Sequence, residues 1–314
     1  MKPKVIAIIE LGLLALCVGL FLWWIYPEKV TVEQEGVILT ETTHATTTSP
    51  VFPDVSVQAA SVYIYDTVTK KVIYDKNAEL QLPLASLTKV MTALTVSNLL
   101  PDRDIVRITA DDLSEEGDSG LVPNEEWSVK DLLDFSLIVS SNDGSRALAS
   151  VAGAFLTADA TSSAVSAFVR EMNRTAKALG LHETYFLNQS GLDMSETLSG
   201  GYGSAKDIAI LVDHILRTKP HLLEATSFDR LNVTSELAVH DATNTNKAIN
   251  MIPNVIASKT GFTDLSGGNL VVAFDAGFAH PVIISVLGST YDGRFEDMAQ
   301  LVGATIEYLS QASI

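Results

Sequence analysis

The chain has 314 residues, 38 acidic against 21 basic, and a formal net charge of −17 at neutral pH. That balance leaves nothing to neutralise phosphates and argues against nucleic acid as a partner. Six scattered histidines, none paired at metal-ligand spacing, argue against a metal centre, and one cysteine allows no intrachain disulfide.

The N-terminus begins Met1-Lys2-Pro3-Lys4 and runs directly into an apolar stretch over residues 5–26. About 22 residues are enough for one helix across a bilayer. Lys2 and Lys4 precede the stretch and a mixed, acidic flank follows, which predicts a cytoplasmic N-terminus with the remainder outside. Trp23, Trp24 and Tyr26 suit the outer interface. A cleaved signal peptide is the competing reading, but the run is long for one and no small-x-small site closes it. Glu10 is costly inside such a span when charged. Cys17 lacks a small residue before it and reads as a membrane-buried small hydrophobe rather than a lipidation site.

Residues 1–26 therefore read as a membrane anchor and 27–54 as a tether, with threonine and proline concentrated towards its end. Residues 55–314 read as one domain of roughly 260 residues. Its opening β-rich runs, 61–65 and 71–74, flank a polar turn and predict a hairpin. Apolar periodicity predicts helices over 85 to about 100, 128–151, 163–179 (closed by Gly180) and 204–216. Strands follow over 255–260, 269–275 and 282–288, then a last helix over 295–310. Strands at both ends with helices between predict an α/β (α+β) fold: one antiparallel sheet whose halves meet in space, flanked by helices, plus a helical lobe.

Three strings carry the chemistry: Ser86-Leu87-Thr88-Lys89, Ser140-Ser141-Asn142 and Lys259-Thr260-Gly261. A Ser-x-x-Lys is expected about once by chance in a chain this long, so placement decides. Ser86 falls in the first turn of a helix, where serine is commonly a cap. Lys89 is one turn on, within reach of its hydroxyl. An alcohol needs a base to become a nucleophile, and lysine serves only when neutral, through burial or a second cation such as Lys259. The helix N-terminus would also favour an oxyanion formed on attack. The Ser140 hydroxyl reads as a proton relay between Lys89, Lys259 and a leaving amine, and the Asn142 amide as a clamp on substrate backbone. A strand ending in Lys259-Thr260-Gly261 offers an edge to an extended peptide and suits a terminal carboxylate, with Gly261 permitting close approach. Together these define acyl transfer through a serine ester.

The chain resembles the serine-type D-alanyl-D-alanine carboxypeptidases, low-molecular-mass penicillin-binding proteins of the type 5 group, from about Val55 to the C-terminus. The resemblance rests on the three strings and on the flank Pro83-Leu84-Ala85 with Val90-Met91-Thr92-Ala93-Leu94. It extends to Trp127-Ser128-Val129-Lys130-Asp131-Leu132-Leu133, to Phe168-Val169-Arg170-Glu171-Met172-Asn173 and to Leu179-Gly180-Leu181. Thr184-Tyr185-Phe186-Leu187-Asn188-Gln189-Ser190-Gly191-Leu192 and Phe262-Thr263-Asp264 with Gly267-Gly268 complete it. It implies a DD-peptidase/β-lactamase-like fold and removal of the terminal D-alanine from peptidoglycan stem peptides ending in D-Ala-D-Ala. β-Lactams would be covalent inhibitors. The implied catalytic residues are Ser86, Lys89 and Ser140. Asn142, Lys259, Thr260 and Gly261 would bind substrate, Phe262 would add its backbone N–H to that of Ser86 as the oxyanion hole, and Arg294 would help hold the terminal carboxylate. Ser141 stands where the family often has glycine, and the chain stops before the family's C-terminal β-domain and amphipathic anchor, a tethering role the N-terminal helix would assume.

No cofactor or metal is implied, and the expected location is the bacterial cell membrane, single-pass, with the catalytic domain extracytoplasmic. Two other functions fit less well. A β-lactamase of class A needs a water-activating glutamate, for which Glu171 is the nearest candidate in sequence. A membrane-tethered peptidoglycan- or β-lactam-binding protein without catalysis has only a short cytoplasmic tail with which to signal.

Overall fold

The computed structural model describes residues 51–157, 163–277 and 279–312. Two compact units divide the chain, Met1–Thr48 and Ser49–Ile314, and all described residues belong to the second. Among them no helix is long and apolar enough to cross a membrane; the apolar run 5–26, with Cys17, lies outside the described residues.

In chain order the strands are β1 (Ser61–Asp66), β2 (Lys71–Lys76), β3 (Leu82–Pro83), β4 (Ile105–Arg107), β5 (Glu126–Ser128), β6 (Tyr185–Phe186), β7 (Gly201–Gly203), β8 (Arg230–Thr234), β9 (Val239–Thr243), β10 (Val255–Thr263), β11 (Gly267–Asp275) and β12 (Pro281–Ser289). The helices are α1 (Thr88–Leu99), α2 (Val129–Ile138), α3 (Asn142–Ala154), α4 (Ala164–Ala178), α5 (Ala205–Thr218) and α6 (Gly293–Ala312). The central sheet is antiparallel throughout in the order β10-β11-β12-β1-β2, so the two ends of the domain sequence meet where β1 pairs β12, Ser61 opposite Leu287. This is the expected closure of the sheet, and β10, which carries Lys259, is an end strand.

Alternation along the strands splits the core in two, as a period of two requires. Tyr63, Val271, Ala273, Ile283 and Leu287 face the helical side and join α1 to α5. Val62, Ile64, Val272, Ile284 and Val286 face the other side and bury against Phe295, Met298, Leu301 and Val302 of α6. Helix α1 is buried from Thr88 to Val96, polar residues included, as the central helix of the larger core.

Two helices begin or break differently from expectation. The helix expected from residue 85 opens with a 3-10 turn, Ala85–Leu87, and becomes α-helical at Thr88. The single helix expected over 128–151 is two, α2 and α3. Ser140 turns the chain with φ +62, and Ser141 then caps α3 by accepting the Gly144 N–H. Serines that hydrogen-bond locally compete with helix continuation, which hydrophobic periodicity alone does not reveal. The short strands β3 to β9 carried no expectation: most are two or three residues long and leave little periodicity.

Candidate active site

Ser86 lies in the middle of the 3-10 turn leading into α1, held against β10. That approach requires Gly261: a Cβ there would stand 2.8 Å from the Leu84 carbonyl oxygen and 3.2 Å from the Ser86 nitrogen. Gly191 is needed on the other side, because a Cβ at its φ of +81 would meet the Ala85 carbonyl oxygen at 1.9 Å. Gly261 therefore serves the packing of the strand on the Ser86 turn, a closer reason for glycine than the approach of a ligand. Asn269 fixes the same turn from the sheet, donating to the Pro83 carbonyl (2.9 Å) and accepting from the Gly288 N–H (2.8 Å).

Lys89, one turn beyond Ser86, is 2% exposed. Its Nζ donates to Ser86 Oγ (2.9 Å), Asn142 Oδ1 (2.7 Å) and the Ser190 carbonyl (2.9 Å). Burial pushes its pKa down to about 7, against the opposing pull of Glu115. A neutral amine keeps two N–H donors and one lone pair. With the Asn142 and Ser190 oxygens taking the donors, the lone pair is left facing the Ser86 hydroxyl.

The second string arrives at the junction of α2 and α3. Lys259, on β10 and 3% exposed, donates from Nζ to Ser140 Oγ (2.9 Å) and to the Thr260 carbonyl (2.9 Å). Burial first, then repulsion from Lys89 and Arg294, holds the Lys259 pKa well below that of an ordinary lysine. The expectation that Lys259 neutralises Lys89 thus changes form: burial is the main cause for Lys89, and the repulsion between the amines registers on Lys259. Asn142 makes two contacts with the protein itself. Its Oδ1 accepts from Lys89 and its Nδ2 donates to the Glu116 carbonyl (2.6 Å), so both ends of the amide position protein groups.

A cleft of about 600 Å³ opens beside these residues, lined by Ser86, Ser140, Thr245, Thr260, Gly261, Phe262 and Arg294, among others. Thr245 Oγ1 lies 2.6 Å from Thr260 Oγ1. Arg294, 4% exposed at the start of α6, donates from Nη1 to the Gly261 carbonyl (2.7 Å), and its guanidinium stacks 4.7 Å from the ring centres of Tyr291 and Phe295. Phe262 is 41% exposed and meets Tyr291 edge-on at 4.9 Å. Glu171, weighed as a water-activating glutamate, is ion-paired on α4 with Arg174.

The structure therefore brings together all nine sequence-derived residues, from the Ser86 turn and α1, the α2–α3 junction, β10 and the start of α6. Sequence reasoning missed the Ser190 carbonyl and Thr245. Ser190 stood inside a segment noted for resemblance, but a backbone acceptor leaves no mark in residue type.

An amine buried on a serine hydroxyl, beside a Lys-Thr-Gly strand, defines the class of serine acyl-transfer enzymes. The comparisons narrow it. Residues 44–290 match the family Peptidase S11, D-alanyl-D-alanine carboxypeptidase, and the chain belongs to that family. It is 33% identical over 220 residues, 66% of this chain and 51% of the relative, to the D-alanyl-D-alanine carboxypeptidase DacF of Bacillus subtilis. To the D-alanyl-D-alanine endopeptidase of Escherichia coli it is 30% identical over 243 residues, 74% of this chain and 71% of that protein. Penicillin-binding protein D2 of Listeria monocytogenes in its cefotaxime-bound form superposes with a TM-score of 0.68 at 27% identity, covering 80% of this chain and 98% of that one. The chain thus spans about half the length of the Bacillus relative.

Proposed function

We propose that this protein is a serine D-alanyl-D-alanine carboxypeptidase, removing the terminal D-alanine from peptidoglycan stem peptides through an acyl-enzyme on Ser86. β-Lactams would acylate the same oxygen. The observation that carries the reading is the Lys89 amine, buried, 2.9 Å from Ser86 Oγ and near neutrality.

In acylation, Lys89 takes the Ser86 proton as Oγ attacks the carbonyl carbon of the terminal peptide bond. The negative charge on that carbonyl oxygen is met by the backbone N–H groups of Ser86 and Phe262. Ser140, held by Lys259, passes its proton to the departing nitrogen and recovers one from the Lys89 ammonium, so that the C–N bond breaks, D-alanine leaves and Lys89 is neutral again. Water then attacks the ester, giving its proton to Lys89, which returns one to Ser86. Thr260 and Arg294 hold the substrate's terminal carboxylate, and Asn142 keeps Lys89 aligned. No step requires a metal or cofactor.

For location, the apolar run 5–26 and the lysines before it support a single-pass anchor, and residues 27–54 a tether. The domain from 55 onward then acts outside the membrane, where its substrate lies. Retention of the full chain in the membrane fraction after alkaline extraction tests the anchor; release would reject it.

The main test is a time course of intact mass with a penicillin, beside Ser86→Ala, together with D-alanine release from diacyl-D-Ala-D-Ala. The expected result is a lasting adduct and D-alanine release, both abolished in the variant. A short-lived adduct with the drug consumed would make the protein a β-lactamase. Muropeptide binding without adduct or turnover would make it a binding protein.

A further inference from the structure

The cleft continues past Arg294 to a second cation. Lys247, on the loop after β9, lines the same cleft as Ser86 and places its Nζ 4.9 Å from the Tyr291 ring centre. Arg294 stands 4.7 Å from the same ring centre, so both charges lie close to one aromatic side chain. Their freedom differs. Arg294 is buried, stacked and hydrogen-bonded to the Gly261 carbonyl. The Lys247 side chain is 61% exposed, and its ionic partner, Asp292 at 3.5 Å, is 74% exposed. An ion pair that open to water contributes little, and a lysine ammonium on a flexible stem readily exchanges one anion for another. A leaving D-alanine fills only a small part of a cleft of about 600 Å³.

We propose that Lys247 is a specificity-determining residue that admits leaving residues bearing a second, side-chain carboxylate, with D-glutamate as the representative. The α-carboxylate would go to Arg294 and Thr260, and the side-chain carboxylate would displace Asp292 from Lys247. In a protein with a net charge of −17, a cleft wall carrying Lys247 and Arg294 is a local attraction for such a dianionic residue. This extends the carboxypeptidase reading and rests on it for the orientation of the leaving group.

The test compares diacyl-D-Ala-D-Glu with diacyl-D-Ala-D-Ala, measuring kcat and KM for the full-length protein, Lys247→Met and Lys247→Arg. The expected result is release of D-glutamate. In Lys247→Met, kcat/KM for D-glutamate should fall about tenfold relative to that for D-alanine, through KM, and Lys247→Arg should restore most of the ratio. Release of D-alanine but not D-glutamate, or an unchanged ratio in Lys247→Met, would overturn the proposal. Binding of both peptides to Ser86→Ala, with and without Lys247→Met, separates it from the catalytic reading. Tighter binding of the D-Glu peptide that Lys247→Met removes supports it even if the parent hydrolyses neither, and equal binding overturns it.

Discussion

At Lys89 a primary amine sits almost fully buried with three acceptors around it, and burial has brought its pKa to about 7. The reactive form is the deprotonated one, and the folded-state pKa lies below the usual lysine value. Acylation should therefore rise with pH through about 7 and level off above it, falling about tenfold per unit on the acid side. The second-order rate of penicillin acylation between pH 5.5 and 9 measures this; a flat profile would remove Lys89 as the base. Lys89 and Ser86 were legible from their spacing because three residues make nearly one helical turn. The use of both ends of Asn142 within the protein was not, since residue type shows that an amide can clamp but not what it holds.

Elements fix where these side chains stand, and two small residues, one within β10 and one capping α3, carry much of that work. Gly261 lets β10 lie against the Ser86 turn. Gly261→Ala should push the Ser86 turn away from the strand and lower the acylation rate at least tenfold, with a modest change in Tm. Acylation within twofold of the parent would show that the turn can give way harmlessly. Ser141 caps α3, so Ser141→Ala should cost about 1 kcal/mol in urea unfolding. The break that separates α2 from α3 escaped the apolar pattern, which runs on through both helices. Ser140 is presented to Lys259 because of that break, its backbone standing at φ +62.

Over the whole molecule, the start of the described chain is fastened to its last helix. Asp297 on α6, 1% exposed, accepts from the N–H groups of Gln58 (2.8 Å) and Ala59 (2.9 Å) and from Ser289 Oγ (2.6 Å). Asp297→Ala leaves buried donors without a partner and should destabilise the protein by about 2–4 kcal/mol. Denaturant unfolding reads this directly, and a loss below 0.5 kcal/mol would show that other groups satisfy those donors. The printed partners of Asp297 are Gln58, Ala59 and Ser289, none of them a residue of the site, so the acylation rate of the folded variant should stay near that of the parent.

What the sequence by itself determined is local: a serine and a lysine one helical turn apart, strands of period two, helices of longer period, and family segments in order. Those features follow from chain geometry over a few residues. The tertiary structure alone decided the joining of Lys259 to Ser140 across 119 residues, and of Lys89 to the Ser190 carbonyl across 101. It also decided the burial that brings the Lys89 amine from an ordinary lysine's pKa down to about 7. Proximity of distant residues and loss of water around an amine arise only when sheet and helices pack, and neither is written in the spacing of residues along the chain.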